Sequence, residues 1–126
     1  MVREIKFRGK DFLGRWHYGY LHLATGSSSL MIQVDSFDSF GVLPETVGQL
    51  TGLLDKNGKE IFEGDIMNDP TSMCVGVVEW NSVLCQFQLS WQNMHTAADL
   101  FFMVKCGSFV IGNIHDNLEL LKTETL

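Results

Sequence analysis

Residues 51–66, TGLLDKNGKEIFEGDI, give the clearest indication of the fold. Short apolar segments at 53–54 and 61–62 flank Asp55-Lys56-Asn57-Gly58, in which Asn57 and Gly58 tolerate left-handed backbone conformations. The stretch therefore predicts a β-hairpin closed by a tight turn, and Glu63-Gly64-Asp65 predicts a second turn that leads into the next strand. The structural turn residues predicted here are Asp55, Asn57, Gly58, Gly64 and Asp65.

The carboxylates of this stretch also invite a metal or acid–base interpretation. An EF-hand loop that began at Asp55 would need an oxygen ligand, a glycine and a glutamate at its fifth, sixth and twelfth positions. Those positions hold Lys59, Glu60 and Ile66. Glu60, Glu63 and Asp65 could form an acid–base pair or hold a metal, but the intervening Gly64 favours a turn. We therefore predict no metal site here.

Alternation of apolar and polar residues predicts several further short strands. They are expected at 3–8, 15–23, 30–34, 73–80, 84–91, 101–104 and 109–114. Lys10 to Gly14 read as a turn between the first two, and residues 84–91 place Cys85, Phe87, Leu89 and Trp91 on one face. The spacing of Thr46 and Gln49 is that of a capping box and predicts a short helical turn, and 118–121 predict another.

These elements predict a mainly-β fold, as a small barrel-like domain of short antiparallel strands with one or two short helical turns. Residues 61–114 have an SH3-like character. The 126 residues contain no linker or internal repeat, so a single domain over 1–126 is expected.

Composition points to a globular, cytoplasmic protein without a membrane segment. Hydrophobic residues make up 45% and charged residues 19% of the chain. No apolar run approaches the roughly 18 residues that span a bilayer, and the N-terminus lacks the apolar core of a signal peptide. Cys74, Cys85 and Cys106 form no C-x-x-C pair, so we expect them to be small buried hydrophobes.

Two groups of residues are candidate partner contacts. Residues 1–15 hold five basic side chains against two acidic ones, whereas the rest of the chain holds four against thirteen. Lys6, Arg8 and Lys10 alternate along the first strand and form either a protected edge or a contact for an acidic partner. The aromatic residues exceed what a small core needs, so either core packing or an interface accounts for Trp16, Tyr18, Tyr20, Trp80 and Trp91. The net charge of −6 makes nucleic acid an unlikely partner.

No catalytic, cofactor-binding or metal-binding residue is predicted. The histidines, at 17, 22, 95 and 115, lack the local spacing of a metal pair. Neither glycine-rich phosphate-binding motif is present. An enzyme would need a dispersed site, for instance Cys85 with His95.

Three segments carry a resemblance to a known family. TGLLDKNGKEIFEGDI at 51–66, GVVEW at 76–80 and VIGNIHDNLELL at 110–121 are similar, in order and spacing, to the signature segments of the YopX family. The opening IKFRGKD also fits, while Phe62 and Leu118 stand where tyrosine and proline are common. The resemblance covers nearly the whole chain. It implies a bacteriophage or prophage origin and a mostly-β fold, and it implies no activity because none is established for the family.

Three functions compete at this point. The first is a phage accessory protein in the host cytoplasm that acts by protein–protein contact, through self-association or binding of a host factor. Its contact residues would be Lys6, Arg8, Lys10, Trp16, Tyr18, Tyr20 and Trp91. The second is a nucleic-acid-binding module that uses the basic first strand. The third is an enzyme with a dispersed site.

Overall fold

The computed structural model describes residues 4–72, 74–92 and 96–121. Over these residues the chain is mainly β, as predicted, with one short helix and two 3₁₀ turns. Its contacts divide it into two compact units, Met1–Gly52 and Leu53–Leu126. Among the described residues the strands form antiparallel sheets that do not close, so the barrel-like arrangement was wrong. The SH3-like character and the single domain stay predictions.

Five strands form the sheet of the first unit, in the order β4–β3–β2–β1–β5. They are β1 (Phe7–Lys10), β2 (Trp16–Leu23), β3 (Leu30–Gln33), β4 (Ser39–Gly41) and β5 (Gly48–Leu54), whose last two residues belong to the second unit. One face packs around Ile32 and Val42, both buried. Gly9 permits this packing, because a Cβ there would lie 3.0 Å from the Cβ of Val42.

The capping-box prediction at Thr46 was wrong. A 3₁₀ turn at Pro44–Thr46 ends where the helix was expected to begin, and β5 follows instead. The Thr46 hydroxyl donates to the Leu43 carbonyl at 2.7 Å and accepts the Lys10 amide at 2.8 Å. Because this hydroxyl bonds to β1 rather than to a following helical turn, the chain continues as a strand beside β1.

The second unit contains a sheet in the order β10–β9–β8–β7–β11. The strands of this sheet are β7 (Asp65–Asn68), β8 (Val75–Asn81), β9 (Gln86–Trp91), β10 (Ala97–Asp99) and β11 (Val110–Asn113). The unit also contains β6 (Glu60–Phe62), which adjoins the end of β5, the helix α1 (Leu100–Lys105) and a final 3₁₀ turn at Leu118–Leu121. Its core consists of Ile61, Met67, Val78, Leu89, Leu100 and Met103.

Residues 101–104, predicted as a strand, are helical. The Asp99 side chain accepts the Phe101 amide and caps α1, while Leu100 and Met103 bury one side of the helix. The apolar run was therefore ambiguous, since a buried helical turn and a buried strand share the same composition.

The cysteines differ from their predicted burial. Cys74 is half-buried, and Cys85 and Cys106 are exposed. Cys85 lies in the turn before β9 with a φ of 53°, so it does not share the face of Phe87 and Leu89. The predicted alternation thus begins one residue later, at Gln86.

Candidate contact surface

Six residues of the first unit form what we call the basic–aromatic face. Antiparallel pairing of β1 with β2 sets Arg8 opposite Tyr18 and Lys10 opposite Trp16. Directly paired residues point to the same side of a sheet, and so do residues two apart along a strand. The face therefore combines Lys6, Arg8, Lys10, Trp16, Tyr18 and Tyr20. The sequence had proposed two separate groups, and the pairing of β1 with β2 brings them together.

Two cationic groups lie near the indole of Trp16. The Arg8 guanidinium carbon lies 4.8 Å from the ring centroid, and the Lys10 ammonium lies 5.6 Å from it. Cations within about 6 Å of an indole face are attracted to its electron-rich surface. Arg8 is only 5% exposed, so it offers little surface that a partner could contact directly.

The two tyrosines are the most accessible large side chains of this face. Tyr18 is 46% exposed and Tyr20 is 68% exposed. They lie two residues apart on β2, so both rings stand on the same side of the sheet. Tyrosine offers a large contact area and a polar hydroxyl, with little conformational freedom to lose. The face thus presents two rings beside a fixed indole and cationic side chains.

Trp91, grouped with these residues from the sequence, belongs to the second unit. It ends β9, and its side chain is half-buried against the core of that unit. Trp80 forms an edge-on contact with Phe87, with ring centroids 4.9 Å apart. Trp91 is thus half-buried beside the core, whereas Trp80, like Tyr18 and Tyr20, is exposed. The interface interpretation of these aromatic residues stays a prediction.

A tight turn at residues 11–15 joins β1 to β2 behind this face. Asp11 Oδ1 accepts the amides of Leu13 and Arg15, each at 2.9 Å, and Gly14 takes a φ of 82°. The turn at 55–59 repeats this arrangement: Asp55 Oδ1 accepts the amides of Asn57 and Lys59 at 2.8 and 2.9 Å, and Gly58 takes a φ of 80°. Both turns have the pattern D-x-x-G followed by a basic residue, a local repeat that the sequence analysis overlooked.

The two turns differ in what the second carboxylate oxygen binds. Asp11 Oδ2 accepts Arg15 Nε and His17 Nε2, both at 2.8 Å. The His17 ring also stacks on Phe40, with centroids 3.9 Å apart. The hydrogen bond from His17, followed by those from Arg15 and Leu13, holds the pKa of Asp11 well below its usual range. This carboxylate is therefore a permanent acceptor, and Nε2 of His17 is the donor.

Asp55 uses its second oxygen to join the turn to a distant strand. Oδ2 accepts the Val110 amide at 2.9 Å, which connects residues 55 places apart in the chain. Burial raises the pKa of Asp55, but the hydrogen bonds from the Val110, Lys59 and Asn57 amides outweigh it, so the pKa is lowered. The Asp55 carboxylate thus connects the 55–59 turn to β11.

Asp65 and Gly64 fix the turn between β6 and β7. Asp65 Oδ2 accepts the Phe62 amide at 2.8 Å, and Gly64, at a φ of 89°, donates to the Val78 carbonyl at 2.9 Å. Of the five predicted turn residues, Asp55, Asn57, Gly58 and Gly64 lie between strands, whereas Asp65 is the first residue of β7. In the part of the chain that the structure describes, no group of three His, Cys, Asp or Glu side chains could hold a metal ion.

His95, the partner suggested for Cys85, lies outside the described residues. No helix among the residues described is long and apolar enough to cross a membrane.

Comparison with known proteins identifies the family. A family model described as YopX protein matches residues 8–122. The chain belongs to the YopX family. Among solved structures, this YopX protein is similar to the crystal structure of protein EF1440 from Enterococcus faecalis, at 23% identity and a TM-score of 0.58, over 96% of this chain and 100% of that one. That likeness shows the fold alone. No curated protein matches the sequence.

Proposed function

We propose that this YopX protein is a phage or prophage accessory protein of the bacterial cytoplasm that acts by protein–protein contact. The contact surface is the basic–aromatic face of the first unit. The observation that carries the proposal is the exposure of Tyr18 and Tyr20 beside Trp16, whose ring lies near the cationic groups of Arg8 and Lys10.

Composition and rigidity both support a protein partner. Tyrosine, tryptophan and arginine are the residues that most often dominate binding energy at interfaces. A pre-positioned ring loses less conformational entropy on binding than a mobile one. The Trp16 indole, with the cationic groups of Arg8 and Lys10 near its ring, is expected to meet that condition, and Tyr18 and Tyr20 add accessible area next to it.

Site-specific photo-crosslinking in bacterial cells tests this surface. A photoactivatable residue at Tyr20 is compared with one at Phe37, which is 94% exposed and lies in a loop away from the face. We expect a discrete crosslinked protein at position 20 that is absent at position 37. The crosslink should disappear when Tyr18→Ala and Lys10→Glu are combined with the probe. Equal labelling at the two positions, or none at position 20, would refute the proposal.

A single-stranded nucleic acid is the second candidate, and one observation favours it. Tyr18 and Tyr20 stand side by side on a strand whose neighbour carries Lys6 and Lys10, and bases stack on aromatic rings in such settings. The acidic remainder of the chain opposes this ligand. Anisotropy of a labelled single-stranded oligonucleotide at low salt decides between the two. Nucleic-acid binding requires that Tyr20→Ala weaken affinity by about tenfold, the loss of one stacked base.

A further inference from the structure

Charge is distributed very unevenly between the two units. Residues 1–52 contain five basic and five acidic side chains, whereas residues 53–126 contain four basic and ten acidic ones. Between Lys59 and Lys105 there is no lysine or arginine, while six carboxylates lie in that stretch. That stretch includes strands β6 to β10. Strands β6 to β10 of the second unit therefore carry acidic side chains and no lysine or arginine.

Part of this negative charge lies on the outer face of β8, β9 and β10. Glu79 and Asp99 are both exposed, and both pair with Gln88 across their strands. Val78, Leu89 and Ala98 alternate with these residues and pack in the core, so the opposite face carries the polar set. We name this surface the acidic strip: Glu79, Asn81, Gln88, Ser90 and Asp99.

Side-chain hydrogen bonds order the acidic strip. Asn81 donates to the Gln88 amide oxygen at 2.8 Å, Gln88 donates to the Ser90 hydroxyl at 3.1 Å, and Ser90 donates to the Glu79 carboxylate. The chain of donors ends on the carboxylate of Glu79, which is thereby held in one position. An ordered carboxylate surface loses little side-chain entropy when it meets a cationic one.

We infer that the partner of the basic–aromatic face is a second copy of this chain, bound through its acidic strip. This inference rests on the proposed function, because it names the partner of the same face. The argument is charge complementarity: one surface presents Lys6, Lys10 and two tyrosines, and the other presents ordered carboxylates and amides. Complementary potentials steer encounter and select the partner.

Such a contact is heterologous, since two different surfaces of the same chain meet. Heterologous contacts leave one surface of each type open at the ends, so assembly continues unless a ring closes. The expected assembly is therefore concentration-dependent and grows beyond a dimer. It should also be sensitive to salt, because the Debye length falls to about 3 Å at 1 M salt.

Sedimentation of two complementary variants tests the inference on the full chain. One variant, Lys10→Glu with Tyr20→Ala, loses the basic–aromatic face; the other, Glu79→Lys, reverses the charge at position 79 and leaves the acidic strip without net charge. At low salt we expect the wild-type mass to rise with concentration above 14.2 kDa and each variant alone to associate at least tenfold more weakly. An equal mixture should form a dimer and stop, because each partner retains only one working surface.

Two control variants keep the result specific. Glu119→Lys makes the same charge change at an exposed position outside the acidic strip, and Phe37→Ala removes an exposed aromatic ring outside the basic–aromatic face. Both should associate as the wild type does. Circular dichroism checks that every variant is folded, and Glu79→Gln replaces Glu79→Lys if the latter fails to fold.

Each remaining outcome overturns the inference in a recognisable way. Normal association of Glu79→Lys alone would mean that the basic–aromatic face pairs with itself. A wild-type chain that stays monomeric at low salt, while position 20 still crosslinks to another protein in cells, would refute self-association and leave the proposed function standing. If crosslinking at position 20 also matches that at position 37, both are refuted.

Discussion

Asp55→Asn tests whether one carboxylate joins the 55–59 turn to β11. The amide oxygen of asparagine can still accept the Asn57 and Lys59 amides, but its NH₂ group then faces the Val110 amide, and two donors cannot bond. Hydrogen bonds to charged groups contribute about 1.5–3 kcal/mol, and a buried donor without an acceptor costs a similar amount. We therefore expect Asp55→Asn to lower the free energy of unfolding by about 2 kcal/mol, and Asp55→Ala by about 3–4 kcal/mol.

Urea unfolding followed by far-ultraviolet circular dichroism measures this loss. For a slope of about 1–3 kcal/mol per molar urea, a loss of 2 kcal/mol moves the midpoint by roughly 1 M. Asp35→Asn is the matched control. Asp35 accepts the Phe37 and Asp38 amides within its own exposed turn, at 2.8 Å each, and asparagine serves such turns almost as well. A change within about 0.5 kcal/mol of this control would refute the role assigned to the bond between Asp55 and Val110.

Three further predictions concern pH and backbone conformation. Hydrogen bonds lower the folded-state pKa of Asp55 below the ordinary value near 4. Its contribution to stability is therefore complete above that value and is lost as pH falls through the folded pKa. Below about pH 4, the free energy of unfolding should fall less with acid for Asp55→Asn than for the wild type. Gly19→Ala should destabilise the protein by about 2 kcal/mol, because a Cβ there would lie 2.0 Å from the Gln33 carbonyl oxygen. A Cβ at Gly41 would meet nothing within 4 Å, so Gly41→Ala should leave the unfolding midpoint unchanged or slightly raised. Equal effects of the two substitutions would contradict this reasoning. Cys85 has a φ of 53°, so Cys85→Gly should raise the thermal midpoint and Cys85→Val should lower it, whereas the reverse order would exclude strain at this position.

The sequence predicts turns better than strand edges in this protein. Asn57-Gly58 and Gly64 fix turns through local backbone chemistry, so residues 51–66 could be read correctly without knowing their neighbours. Residues 48–50 and 101–104 could not. The strand β5 depends on hydrogen bonding to β1, and α1 depends on burial of Leu100 and Met103 beside its Asp99 cap. Tertiary contacts therefore determine the secondary structure of both segments.

The sequence likewise indicated individual residues of the candidate surface, but not that they lie on one face of a sheet. Alternation along the first strand grouped the basic residues, and the aromatic surplus pointed to Trp16, Tyr18 and Tyr20. Only the register of β1 against β2, with Arg8 opposite Tyr18, shows that these are one surface. Register follows from the turn that joins the strands, and here the decisive residue is Asp11. Its bond to His17 spans six residues across that turn, a separation at which no local motif exists.

The pair of D-x-x-G turns explains how one local motif can serve two purposes. In each turn, one carboxylate oxygen and the glycine determine the backbone path, which leaves the other oxygen available. In the second unit that oxygen accepts a strand amide, and the turn becomes part of the scaffold. In the first unit it accepts hydrogen bonds from the side chains of Arg15 and His17, the residues on either side of Trp16 in the sequence. The same bonds that close the hairpin therefore fix the strand that presents the rings. The bonds of this turn therefore also help to determine where the proposed contact surface lies.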